Sequence, residues 1–89
     1  MAATRRSRAI RFFRDLSALL GPRFHCAYNF EGLHAGMTVR IIRKSNGAEL
    51  YRVWDRHMLY RLRNPYLFAC VEAEGIVRAF WALDGEASQ

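Results

Sequence analysis

The sequence predicts an α+β fold in which one N-terminal amphipathic helix packs on an antiparallel, mostly meandering sheet of five or six strands. Near the N-terminus, apolar residues recur at the spacing of one helix face. The apolar runs that follow are short, rich in β-branched and aromatic residues, and separated by turn-forming residues. The 89 residues are expected to form a single small domain, with residues 1–6 as a basic flexible arm and residues 84–89 as a flexible tail.

The first predicted element is a helix from about Arg8 to Leu20. Ser7 precedes it and can accept a hydrogen bond as an N-cap. The helix carries one apolar stripe, made of Ala9, Phe12, Phe13, Leu16, Leu19 and Leu20. Gly21-Pro22 is expected to end the helix, because glycine adopts the left-handed cap and proline cannot continue a helix.

The next elements are predicted to be strands. Arg23 to Phe30 alternates between two faces and is the first strand. Thr38 to Trp54 is predicted to be a hairpin, because Asn46-Gly47 suits a two-residue type I′ turn with φ > 0 at both positions. That turn places Lys44 opposite Glu49. The predicted core face of the hairpin carries Val39, Ile41, Leu50 and Trp54.

The C-terminal part is predicted to complete the sheet. In Asp55 to Asn64, alternation of apolar residues favours a strand, while an aspartate cap and a following proline leave a short helix as the alternative. Tyr66 to Ala73 and Ile76 to Leu83 are predicted to form a second hairpin around Glu74-Gly75. Both of its faces are apolar, which is typical of central strands that are covered on both sides.

The charge indicates an acidic partner. The net charge is +6, and only Lys44 among the 14 basic residues is not arginine. Guanidinium groups bind phosphates and carboxylates through two parallel hydrogen bonds. We therefore expect nucleic acid or an acidic protein or nucleoprotein surface as the partner. Genome composition remains an alternative explanation of the arginine bias.

Two sets of residues are candidates for this binding. The first lies in the arm and first helix and consists of Arg5, Arg6, Arg8, Arg11 and Arg14. The second combines arginines with aromatic residues that could stack on bases, and consists of Arg40, Arg43, Arg52, Arg61, Arg63 and Arg78 with Tyr51, Tyr60 and Trp54. For both sets the alternative is a solvated surface on which arginine stems cover core edges.

Other site classes have little support. The histidines and cysteines, His25, Cys26, His34, His57 and Cys70, match no standard metal-ligand spacing. No cofactor motif, glycine-rich phosphate loop or serine nucleophile motif is present. No signal peptide or membrane-spanning run is recognised, so a cytoplasmic protein with free thiols and no membrane partner is expected.

The sequence therefore predicts a small non-enzymatic basic protein that docks on nucleic acid or on an acidic face of a nucleoprotein or nuclease complex. Inhibitors carried by phages or mobile elements, such as anti-CRISPR proteins, share this profile as a class. One alternative is a toxin-type endoribonuclease that uses His57, Tyr60 and Arg61. Another is a homo-oligomeric structural or adaptor protein, suggested by the two-sided apolar runs near the C-terminus.

Overall fold

The residues that the structure describes fold into three helices and a three-stranded sheet. The structure, a computed structural model, describes residues 5–30 and 36–87. In chain order the elements are α1 (Arg5–Leu20), β1 (Phe24–Phe30), β2 (Met37–Arg43), β3 (Glu49–Trp54), α2 (Arg56–Tyr60) and α3 (Pro65–Ala87). The strands form an antiparallel meander in the order β1-β2-β3. The α+β class is thus confirmed, whereas the prediction of five or six strands is wrong.

The helices cover one face of the sheet. Met37, Val39 and Ile41 on that face are fully buried and belong to one core cluster with residues of α1, α2 and α3. On the opposite face Arg40 and Tyr51 are exposed to solvent. The protein is therefore a two-layer structure with one open sheet face.

Helix α1 has the predicted apolar stripe except at Leu19, which is exposed. Ala9, Phe12, Leu16 and Leu20 are buried. Gly21 ends the helix with φ +82° and donates a hydrogen bond of 3.0 Å to the Ser17 carbonyl oxygen. The helix begins at Arg5, earlier than predicted, so Ser7 lies inside it and is not its N-cap.

The hairpin has the predicted faces and a different turn. Ile42 lies opposite Glu49, a shift of two residues from the predicted pairing. Of Asn46 and Gly47, the two central residues of the predicted turn, only Gly47 has a positive φ, of +72°, so the predicted type I′ turn is wrong. The Asn46 side-chain oxygen instead accepts hydrogen bonds of 3.1 Å from the Ala48 backbone N–H and from Arg43 Nε. A shift of two residues leaves each side chain on its predicted face.

Residues 55–64 contain a short helix, so the strand prediction is wrong and the alternative is correct. The Asp55 carboxylate accepts hydrogen bonds from the backbone N–H groups of His57, at 3.4 Å, and Met58, at 3.3 Å. These bonds satisfy donors of the first turn of α2. Leu59 points into the core and is fully buried.

The predicted second hairpin is also wrong, because residues 65–87 form one helix, α3. Its buried residues are Ala69, Ala73, Ile76 and Phe80, three or four positions apart. Asn64 caps the start, since its side-chain oxygen accepts a 3.0 Å hydrogen bond from Leu67 N–H. Pro65 at the first helical position loses no intrahelical bond. Helices α2 and α3 thus occupy the segments in which the missing strands were predicted.

The terminal predictions lie partly beyond the described residues. Backbone of α1 and α3 includes residues 5–6 and 84–87, which the sequence assigned to the arm and the tail. Residues 1–4 and 88–89, the side chains of Arg5 and Arg6, and His34 lie outside the described part of the chain. No helix between residues 5 and 87, within the described ranges, is long and apolar enough to cross a membrane.

Replacement of Gly75 with alanine tests the course of α3. Gly75 is exposed in the helix interior, and a Cβ atom there would meet nothing within 4 Å. Gly75→Ala should raise the free energy of unfolding by about 0.5–1 kcal/mol, because alanine loses less backbone entropy in a helix. Urea denaturation measures this change.

Gly36→Ala is the matched control. A Cβ atom at Gly36 would lie 2.4 Å from the Trp54 carbonyl oxygen, so this variant should lose stability. A loss of stability in Gly75→Ala would contradict a continuous helix through residue 75.

Candidate functional site

A groove lies where the first turns of α1 approach the segment between α2 and α3. Its volume is about 860 Å³. Four of its ten lining residues are the predicted site residues Arg8, Arg11, Arg14 and Arg63, and none of the ten is Asp or Glu. We call this feature the arginine groove. It brings together arginines that are about fifty positions apart in the sequence.

Local structure fixes both walls of the arginine groove. Three of the arginines follow each other at intervals of three residues on α1, so each is about 4.5 Å further along the helix axis than the last. Arg63 lies on the opposite wall, in the short segment between α2 and α3. Arg8 ties the two walls together, because its Nη1 donates a 2.9 Å hydrogen bond to the Tyr60 carbonyl oxygen.

No carboxylate of the described chain forms an ion pair with an arginine of the groove, although Asp15 lies one turn beyond Arg11 on α1 and its charge acts on Tyr66. Arg11, Arg14 and Arg63 are exposed, and none of them forms an ion pair or side-chain hydrogen bond with a described residue. Like-charged groups on facing walls repel one another and attract anions. The groove is thus a concentrated positive site that is open to solvent.

Six of the ten lining residues were not among the predicted site residues, and Tyr66 and Asn64 are two of these six. Tyr66 presents an exposed phenol ring at the wall of the groove, and Asn64 lies beside it. Asn64 was assigned to the end of one segment and Tyr66 to the start of the next strand, which concealed their proximity to α1. The Asn64-Pro65 pair was the available signal, because this combination is typical of a helix start.

The open sheet face carries a balanced charge. Arg40 donates hydrogen bonds of 3.3 and 2.5 Å to the two carboxylate oxygens of Glu49, and the Tyr51 hydroxyl donates one of 3.1 Å. The hydrogen bond from Arg40 lowers the pKa of Glu49, so this carboxylate stays charged. Two predicted site residues therefore lie together beside an acid, which makes this face less attractive to anions than the groove. Arg52 lies on the other face of β3, opposite Val39, and is exposed.

Arg43 is engaged in internal contacts. It binds both carboxylate oxygens of Asp84, at 2.9 and 2.5 Å, and its guanidinium carbon lies 5.2 Å from the centre of the Phe80 ring. Only 15% of its side chain is exposed. These contacts join the end of β2 to the C-terminal part of α3.

The residues of the endoribonuclease alternative lie together on and next to α2. The rings of His57 and Tyr60 meet edge to face with centroids 6.2 Å apart, and Arg61 Nε donates a 3.2 Å hydrogen bond to the His57 carbonyl oxygen. Asp55 caps the helix backbone and makes no hydrogen bond to the His57 ring. The arrangement lacks a carboxylate that would orient the histidine as a general base.

Metal and thiol chemistry have little basis in the described ranges. No three His, Cys, Asp or Glu side chains in these ranges are grouped so that they could hold a metal ion. Cys26 and Cys70 are free thiols. Burial raises the pKa of Cys26, which favours the less reactive protonated form.

The Arg43–Asp84 pair predicts a change in acid stability. The hydrogen bond from Arg43 lowers the pKa of Asp84 in the folded protein. The pair therefore stabilises the fold at pH values above the ordinary carboxyl pKa, and this stabilisation is lost as the pH falls below it. Asp84→Asn should be less stable than the parent protein at pH 7, and its stability should fall less steeply between pH 5 and pH 3.

Thermal unfolding over this pH range measures both effects. Arg43→Met should show the same reduced pH dependence, and the double variant should add nothing further. Parallel pH profiles for the parent and Asp84→Asn would show that the pair does not contribute.

Comparison with protein-family models, curated proteins and solved structures finds no match to this chain.

Proposed function

We propose that this protein is a small non-enzymatic nucleic-acid-binding protein that holds the phosphate backbone in the arginine groove. The observation that supports the proposal is the composition of the groove, which has four arginines and no carboxylate among its lining residues. In comparison, Arg40, Arg43 and Arg78 each pair with a carboxylate.

The spacing of the arginines suits a phosphate backbone. Arg8, Arg11 and Arg14 extend about 9 Å along α1, given a rise of about 1.5 Å per residue. This length exceeds the axial distance of about 3.4 Å between neighbouring phosphates of one strand, so more than one phosphate can be contacted. Arg63 contacts the backbone from the opposite wall. Each guanidinium group can give two parallel hydrogen bonds to one phosphate.

Tyr66 gives the groove a way to bind a base as well. Its side chain is exposed at the wall. Stacking on a tyrosine ring is tolerant of sequence, because every base has a flat apolar face. Contacts to phosphates carry no sequence information either. We therefore expect binding with little sequence preference, and higher affinity for single strands, in which bases are free to stack.

The affinity for nucleic acid and its salt dependence test the proposal. Fluorescence anisotropy with labelled single-stranded and double-stranded oligonucleotides, over a range of KCl concentrations, measures both. Removal of two phosphate contacts in Arg11→Ala/Arg63→Ala should lower the slope of log affinity against log salt by about 1.5–2. The affinity at moderate salt should fall by about tenfold or more.

Arg40→Ala/Arg52→Ala is the matched control, because it removes the same net charge from the sheet. It should change the affinity and the slope much less than the groove variant. Equal losses in both variants would show that only net charge matters. Tight binding to an acidic protein with no affinity for oligonucleotides would favour an acidic protein surface as the partner of the groove.

An RNA-cleavage assay separates binding from catalysis. The proposal expects end-labelled RNA to remain intact after prolonged incubation with the protein. Cleavage that disappears in His57→Ala would contradict a non-enzymatic role and establish the endoribonuclease alternative.

A further inference from the structure

A second pocket lies at the other end of the packed pair α1 and α3. It has a volume of about 650 Å³ and lies where the last turn of α1 approaches the later turns of α3. Its apolar walls come from Leu20, Phe24, Val77, Phe80 and Trp81. We call it the Trp81 pocket. It shares no lining residue with the arginine groove, so both can be occupied at once.

Trp81 is an unusual residue for a solvated surface. Its side chain is 65% exposed, whereas Trp54, the other tryptophan, is 6% exposed and packed in the core. Trp81 also borders a smaller groove, which Leu19, Cys70 and the Glu74–Arg78 ion pair line with it. Exposed tryptophans that flank apolar pockets are typical of the residues that dominate protein–protein affinity.

The rim of the Trp81 pocket is positively charged. Arg23 and Lys44 are exposed, and neither forms an ion pair or side-chain hydrogen bond with a described residue. Arg43 also lines the pocket, but its charge is balanced by Asp84. No aspartate or glutamate is among the lining residues. An occupant therefore needs an apolar group for the walls and carboxylates for the rim.

From this complementarity we propose that the Trp81 pocket binds an acidic segment of a partner protein. A large apolar side chain of the segment packs against Trp81 and Val77, and neighbouring aspartates or glutamates pair with Arg23 and Lys44. A second copy of this chain suits the pocket less well, because each copy carries a net charge of +6. The Trp81 pocket is also a poorer site for nucleic acid than the arginine groove is, because it has only two unpaired cations beside a largely apolar cavity.

Selection from a random-peptide phage library on the immobilised full chain tests this proposal. Enriched peptides should combine a large apolar residue with neighbouring acidic residues. A synthetic peptide of the enriched sequence should quench the fluorescence of Trp81 on binding. Trp81→Ala and Arg23→Ala/Lys44→Ala should each weaken its binding, measured by calorimetry, by about tenfold or more.

Two variants on the sheet are the matched controls. Tyr51→Ala removes an aromatic side chain of similar exposure, and Arg40→Ala/Arg52→Ala removes the same charge as the rim variant. Both should bind the peptide as the parent protein does. The rim variant removes only exposed charges, so its result does not depend on how the fold tolerates loss of Trp81.

Several results would overturn the proposal. These are failure to enrich any peptide, enrichment of peptides without acidic residues, or equal peptide affinity in the pocket and control variants. A dimer in light scattering that Trp81→Ala converts to a monomer would show that a second copy covers the pocket. Loss of oligonucleotide binding in the rim variant alone would assign the pocket to nucleic acid. Arg11→Ala/Arg63→Ala leaves the Trp81 pocket intact. The oligonucleotide assay with that variant therefore tests the proposed nucleic-acid function independently of peptide binding to the pocket.

Discussion

The packing of Phe12 is the constraint on which both candidate sites depend. Phe12 is fully buried, with its ring edge to face against Trp54 at 5.1 Å and tilted against Phe68 at 5.4 Å. It thereby fixes α1 against both β3 and α3. Trp54 strengthens the junction, because its Nε1 donates a 3.1 Å hydrogen bond to Glu72 of α3. Since α1 supplies walls of the arginine groove and of the Trp81 pocket, its position on α3 determines the shape of both.

The distribution of carboxylates concentrates the positive charge. Glu49 and Asp84 neutralise arginines of β2, and Glu74 pairs with Arg78 on α3. Asp55 is used to cap α2. None of these acids lines the arginine groove. The unpaired positive charge of the protein is therefore concentrated at the groove. A net charge alone does not indicate a binding site, but an uneven pairing of charges does.

The sequence predicted local features well and the course of the C-terminal third poorly. Helix α1 and the faces of the hairpin could be predicted because they depend on the spacing of apolar residues that are close together in the sequence. The hairpin register was missed because the Asn46 side chain forms two hydrogen bonds that compete with the type I′ turn. The groove arginines were each identified as candidates, but their grouping depends on Arg63. Its position next to α1 follows from the helical structure of α2 and α3, which the sequence assigned to strands.

Misassignment of α3 and exposure of Trp81 have one physical cause. An ordinary surface helix is apolar on one side, whereas α3 also exposes Leu67, Val71 and Trp81. Apolar residues on both sides of a segment are the pattern of a strand that is buried on both faces, which is how this segment was interpreted. The pattern was real, but the second apolar side faces solvent instead of a second layer of the protein. Structure prediction from local sequence patterns fails most often at functional sites, where residues depart from the pattern that stability alone would favour. The side of α3 that misled the prediction is the side that carries Trp81, which lines the Trp81 pocket.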